Sequence, residues 1–274
     1  MSLFAFFLVL GAVFSHAGWN FFVKSSADRL AGIVIVLLPI TLVGLIMLPF
    51  VPLPRDPQTW RLIGLSAVLH YAYNINLWLA YRYADLSLAY PLARGSVPLL
   101  VLGLAYWSIQ ELPPPQGMVG IGAVACGIML LSLSGRGGDV RGLILALTTS
   151  LWIAGYTVVD GIGVRHPEEA LAFLAWAFAA HGLVPLIVMA FVWRGKMPTG
   201  FWRSSPWGLL SLLAYGLVLW AQRSTDFAAV SALRETSVLV AALLGIFILG
   251  EGQARLRLSA AAIVCLGAIL VVTA

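Results

Sequence analysis

Apolar residues fill the chain in stretches of about twenty, and each stretch stops at a short cluster of proline, glycine or charge. A helix that crosses a hydrocarbon core of about 30 Å needs about 20 largely apolar residues, so every stretch predicts one crossing. The runs lie near 2–23, 31–50, 58–82, 86–109, 116–134, 140–161, 169–193, 206–223, 227–249 and 256–273. Breakers such as Pro52-Leu53-Pro54-Arg55-Asp56-Pro57, Pro113-Pro114-Pro115 and His166-Pro167-Glu168-Glu169 separate them, because such residues end helices. The pattern predicts an all-α integral membrane protein of about ten transmembrane helices. The first run has no basic leader and carries His16, Trp19 and Asn20 where a small-residue cleavage site would stand, so it is expected to remain as a helix.

The pattern also repeats. Sliding the chain by 140 residues aligns Arg94 with Arg234, Glu111 with Glu251, Gly127 with Gly267 and three leucine pairs, and the Arg-to-Glu interval is 17 residues in both copies. A weaker echo joins Ala17-Gly18-Trp19 to Ala154-Gly155-Tyr156. Two five-helix units, 1–134 and 135–274, follow from this. A unit with an odd number of crossings starts its successor on the opposite side, so the repeats are expected to be inverted, the arrangement of transporters that rock about a midplane site.

Composition narrows the class. Of 274 residues 61% are apolar and 10% charged, where soluble domains run near 45–50% and about 25%; no large soluble domain fits. The net charge of +5 belongs to basic residues at helix ends, so the expected partner is the lipid bilayer and no nucleic acid. Cys126 and Cys265 lie in apolar runs without metal or redox spacing and are expected to be small buried hydrophobes. No phosphate-binding glycine loop, HExxH or repeated His/Cys spacing occurs, which predicts no cofactor, no metal and transport driven by a gradient or a partner.

The first helix with its tryptophan, the short turns before the fourth and ninth runs, and the endings Gln110-Glu111 and Gly250-Glu251 before glycine-bearing helices resemble the EamA-type members of the drug/metabolite transporter superfamily over the whole chain. The resemblance implies ten helices in two inverted five-helix repeats, a central cavity lined by both halves, and export of amino acids and other metabolites or uptake of small solutes. The chain is expected to be a multi-pass protein of the cell inner membrane or plasma membrane, as a monomer or homodimer, and the resemblance implies both termini in the cytoplasm. Charge points the other way. Lys24, Arg29, Arg82, Arg136, Arg141, Arg194, Lys196, Arg203, Arg255 and Arg257 flank one side and only Arg55, Arg61, Arg165 and Arg223 the other, which places the termini outside.

Intramembrane polar residues mark the candidate site. Arg94 lies nine residues past Asp85 and Arg234 eight past Asp226, which is about 13 Å and 12 Å into a core of about 30 Å. A central arginine costs on the order of 2.5–3.5 kcal/mol and so needs a partner or a wet cavity. Two readings are open: Arg94 and Glu235 pair and only fasten the halves, or at least one guanidinium faces the cavity and binds a carboxylate or phosphate through its planar fork. Tyr90 and Pro91 precede Arg94 and Gly95 follows it, a run expected to loosen the helix there. His16, Asn20 and Lys24 share one face of the first helix with Trp19 beside them, Lys24 being expected to snorkel.

His70, Asn74 and Tyr81 share a face of the third helix, with Asn76 off it. Thr149, Trp152, Tyr156 and Asp160 follow at helical spacing, and Tyr215 and Gln222 come later. The substrate-binding candidates are therefore Arg94, Arg234, Glu235, His16, Trp19, Asn20, His70, Asn74, Tyr90, Trp152, Tyr156 and Tyr215. Asp160 is the proton-coupling candidate, although its place near a helix end predicts hydration, and His181 is expected to be packing.

The expected function is secondary-active, alternating-access transport of a small polar organic metabolite, zwitterionic or anionic, amino acids first, in the direction of export. The alternative is a membrane-embedded enzyme acting on a lipid head group through His16, His70 and Asp160. A non-transporting helical subunit is a third reading, against which the internal repeat argues.

Overall fold

Proline-bearing segments follow α2, α4 and α6 in the computed structural model, which describes residues 1–25, 29–83, 86–133, 140–195, 201–240 and 254–274. The helices are α1 (Leu3–Ser25), α2 (Arg29–Met47), α3 (Pro57–Tyr83), α4 (Leu86–Ile109), α5 (Pro115–Ser132), α6 (Val140–Arg165), α7 (Ala170–Ala180), α8 (Leu183–Ile187), α9 (Phe201–Gln222), α10 (Phe227–Glu235) and α11 (Ala254–Thr273). Pro57 and Pro115 open α3 and α5, where a missing N–H costs nothing. Among the described residues there is no strand, and six stretches are long and apolar enough to cross a membrane. The chain is a multi-pass, all-α membrane protein. α3 spans 27 residues, about 40 Å of helix at 1.5 Å per residue, and is less apolar because His70, Tyr73, Asn74 and Asn76 lie along it.

Four runs depart from the expected boundaries, the eighth by starting at Phe201 and not near 206. The seventh is interrupted: α7 stops at Ala180, and α8 begins after His181 and Gly182 and passes into a π-helical turn at Val188–Val192. A Cβ on Gly182 would stand 2.0 Å from Thr41 Cγ2, so α2 crosses too closely for any residue but glycine. The ninth run breaks after Glu235. Thr236 Oγ1 donates to Leu233 O at 2.6 Å and its N–H to the same carbonyl at 3.1 Å, a local bond that competes with the helical ladder; helix resumes at 237–240. The sixth run continues to Arg165, past its expected end at 161. α4 is continuous through Pro91, and Gly95 does not loosen it, because a Cβ there would lie 2.6 Å from Met129 Cγ. Gly95 serves close packing of α4 on α5.

Polarity is arranged as a bilayer demands. Phe4, Phe7, Ile46, Leu266 and Ile269 face outward, while Arg94, Asp160, His181, Gln222 and Glu235 are buried. Cys126 and Cys265 are exposed on the apolar exterior, not buried as expected; their runs are apolar because lipid covers them.

Helix contacts come in matched sets: α3 packs on α6 as α1 does on α9, α2 on α9 as α7 does on α3, and α4 on α6 as α10 does on α1. The pairs α2–α7, α4–α10 and α5–α11 join the first half of the chain to the second. At α5–α11 a Cβ on Gly127 would lie 2.6 Å from Val264 Cγ2, and one on Gly267 would lie 2.9 Å from Val124 Cγ2. Gly127 and Gly267 are 140 residues apart, as are Val124 and Val264, so one contact is made twice with the partners exchanged. Small residues let such backbones close in lipid, where no hydrophobic force drives helices together. Gly267→Leu, whose Cβ would stand 2.7 Å from Gly120 O, is expected to cost about 1–3 kcal/mol or more and to lower the thermal midpoint in detergent size-exclusion assays. Gly122→Ala, with nothing within 4 Å of its Cβ, leaves that midpoint unchanged.

Candidate functional site

The first polar cluster forms where α4 crosses α10. Arg94 Nη1 donates to Glu235 Oε1 and Oε2 at 3.1 and 3.2 Å, and Arg234 donates from Nε and Nη2 to Oε1 at 3.1 and 2.8 Å. Arg94, Arg234 and Glu235 are 3%, 5% and 0% exposed, so neither guanidinium opens to solvent in this conformation. Two guanidiniums and one carboxylate leave the trio with one positive charge, held where desolvation is costly. From α1, His16 Nε2 lies 2.8 Å from Arg94 Nη2, and Trp19 Nε1 points at His16 Nδ1 at 3.2 Å. A neutral imidazole accepts at one nitrogen only, and the shorter Arg94 contact takes that lone pair.

The second cluster gathers α3, α6, α7 and α9 around Asp160. Tyr215 OH donates to Asp160 Oδ2, and His70 Nε2 stands 3.9 Å from the same oxygen. His70 is sandwiched between the Tyr156 and His181 rings, each 4.0 Å away. Its Nδ1 meets Ser66 O at 3.0 Å, and His181 Nε2 lies 3.5 Å from Ser66 Oγ. Asp160 is 1% exposed, not hydrated as its position near a helix end predicted, because α6 runs on to Arg165 and Tyr215 covers the carboxyl. His181, expected to be packing, and Ser66, not singled out, belong to this cluster; a lone histidine on an apolar run gives no sequence signal of its neighbours.

Other candidates lie apart. Asn74 Nδ2 donates within its own helix to His70 O at 2.8 Å, and Trp152 is half-buried. Asn76, off the predicted face, ties α3 to α6 by donating to Leu145 O, Thr148 Oγ1 and Thr149 Oγ1 at 2.7–2.8 Å. The side chains of Asn20, Tyr81 and Tyr90 lie outside the described residues. Among the described residues no three His, Cys, Asp or Glu side chains are disposed to hold a metal.

One face of the bundle is closed by contacts between the halves. Arg165, in the last turn of α6, pairs with Glu111, donates to Gln222 O at 2.6 Å and Thr225 O at 2.7 Å, and lies 3.8 Å over the Phe227 ring. It thereby occupies carbonyls left open where α9 ends. Glu111 Oε1 accepts the Phe227 N–H at 2.7 Å, a carboxylate at the positive end of α10. Glu169 Oε1 accepts the N–H groups of Arg55 and Asp56 at 2.7 and 3.1 Å. The neighbouring Thr59 hydroxyl, then those N–H groups and His166, hold the Glu169 carboxyl below the usual carboxylate range against the opposing effect of desolvation. A lowered carboxyl stabilises the fold above its unfolded pKa and ceases to as pH falls through its folded one. Acidification below the ordinary carboxylate range is therefore expected to lower the protection factors of the amides at 55–56, measured against their intrinsic exchange rates at each pH, and Glu169→Gln to lower them already at neutral pH.

The EamA-like transporter family model matches residues 3–133 and again 140–273. An "Uncharacterized transporter YwfM" of Bacillus subtilis (strain 168) is 26% identical over 205 residues, 70% of this chain. The chain spans 66% of that relative's length. A solved chain described as "Crystal structure of protein" superposes with a TM-score of 0.68 at 16% identity, covering 97% of this chain and 98% of that one; it shares the fold.

Proposed function

The chain belongs to the EamA-like transporter family, and from that premise we propose that it carries a small zwitterionic or anionic metabolite, an amino acid or relative, across the cell inner or plasma membrane, with export as its direction. The family points to a transporter rather than to an enzyme acting on a lipid head group. In keeping with that, the acid–base residues an enzyme would need are divided: His16 stands with Arg94, and His70 with Asp160.

The observation that carries the reading is the Arg94–Glu235–Arg234 centre. Its net positive charge and paired donor forks suit a carboxylate better than a bare cation. Glu235 is the resident carboxylate that satisfies both guanidiniums when no solute is bound, and the solute's own carboxylate takes one of them over. The break after Glu235 lets that side chain shift without dragging a whole helix. The matched contacts of the two halves support inverted repeats that rock about this centre, with the Glu111–Arg165 and Glu169 latches holding one face shut while the other admits solute.

Counterflow in proteoliposomes tests this. Vesicles loaded with unlabelled common amino acids and given the radiolabelled mixture outside are expected to accumulate label transiently, whereas protein-free vesicles do not. No counterflow with amino acids, phosphonates or amines overturns the reading.

A further inference from the structure

The Asp160 cluster lies outside the carboxylate-binding centre and has a feature that centre lacks: Asp160 Oδ1 is buried with no well-aligned hydrogen bond, the Ser66 hydroxyl being its nearby polar neighbour. Its other oxygen accepts from Tyr215 and faces His70 Nε2 at 3.9 Å. Ser66 O can only accept, so His70 Nδ1 carries the ring proton in that 3.0 Å bond. The neutral ring then presents its bare nitrogen, Nε2, to the carboxyl. A lone ionised carboxylate out of water with one oxygen poorly satisfied is costly, and a bound proton removes the cost.

The titratable groups around Asp160 are His70 from α3, Tyr156 from its own helix through the His70 ring, His181 from the turn after α7 and Tyr215 from α9, and Arg234 on α10 adds a weaker electrostatic influence. α3 belongs to the first half of the chain and the others to the second, so a proton held between Asp160 and His70 changes the attraction between the halves. Arg234 is within electrostatic range of Asp160, which links proton occupancy to the solute site.

We propose that Asp160, His70 and His181 form the proton-binding site that couples transport to a proton gradient. One proton from water binds at the Asp160–His70 pair on one side of the membrane and returns to water on the other, with no other bond made or broken. Tyr215 is a positioning residue that fixes Oδ2. The inference rests on the transporter reading.

Proteoliposomes given the radiolabelled amino-acid mixture test it, with counterflow and accumulation driven by an imposed pH gradient measured on the same preparation. Wild type is expected to show both. In Asp160→Asn the ratio of gradient-driven accumulation to counterflow is expected to fall at least about tenfold. Should that variant not fold, Tyr215→Phe, which removes one hydroxyl, is expected to shift the pH of half-maximal gradient-driven accumulation. Infrared difference spectra of wild type between alkaline and acidic pH should also show the C=O band of a buried carboxylic acid that moves with isotope-labelled aspartate. Counterflow with no response to a pH gradient, an unchanged ratio in a folded Asp160→Asn, or an unshifted profile in Tyr215→Phe together with no such band overturns this inference alone. No counterflow in wild type overturns the transporter reading and this inference with it.

Discussion

Glu235→Ala is expected to be among the most damaging single substitutions in the chain. The carboxylate is fully enclosed and receives hydrogen bonds from both Arg94 and Arg234. Truncation leaves two buried guanidiniums facing each other without the charge that joins them, and breaking a buried pair in this way costs about 3–5 kcal/mol. Folded yield in detergent should fall sharply. Glu235→Gln keeps an acceptor but no charge and should fall between wild type and Glu235→Ala. The triple change Arg94→Met, Arg234→Met and Glu235→Met removes the whole ionic centre, and an apolar replacement of a buried ion pair or triad is often neutral or better. Recovery of a folded, monodisperse protein in the triple variant but not in Glu235→Ala would locate the damage in the uncompensated charge and not in lost volume.

The second large effect is on transport. Arg94→Leu and Arg234→Leu each remove a donor fork, and hydrogen bonds to charged groups are worth about 1.5–3 kcal/mol, so counterflow at subsaturating solute should drop about tenfold or more in at least one of them. The two need not be equal. Arg94 is also held by His16, whereas Arg234 donates from Nε and Nη2 to Glu235, which makes Arg234 the fork a solute carboxylate takes with the smaller rearrangement. Arg234→Leu should therefore raise the solute concentration needed for half-maximal counterflow more than Arg94→Leu does.

What could be read in advance divides along a physical line. Burial in lipid is a property of single residues and of runs, so the apolar stretches, their proline and glycine ends, and the cost of Arg94 and Arg234 at mid-depth were all legible. Gly127 and Gly267 were legible as a repeated pair; that they make one contact twice needed the packing of α5 on α11. Breaks after Ala180 and Glu235 were not legible, because each run as a whole stays long and apolar enough to cross, and what accompanies the breaks, Thr41 against Gly182 and the Thr236 hydroxyl on Leu233 O, is a tertiary contact and a local bond that hydropathy does not register. The distance of Asp160 from a helix end predicts hydration, which fails once Tyr215 lies over the carboxyl. His181 and Ser66 carried no pattern at all; α7 and α3 have to meet before they are neighbours.

The central claim is that the Arg94–Glu235–Arg234 centre of this family member recognises a solute carboxylate. It is tested most directly by wild-type, Arg94→Leu and Arg234→Leu proteoliposomes, with counterflow of the amino-acid mixture compared with that of the corresponding decarboxylated amines. The expected result is that wild type moves amino acids well and amines poorly, and that loss of one guanidinium abolishes the preference. Amino-acid counterflow undiminished in both folded variants, or a wild type that moves the amines as readily as the acids, would contradict it.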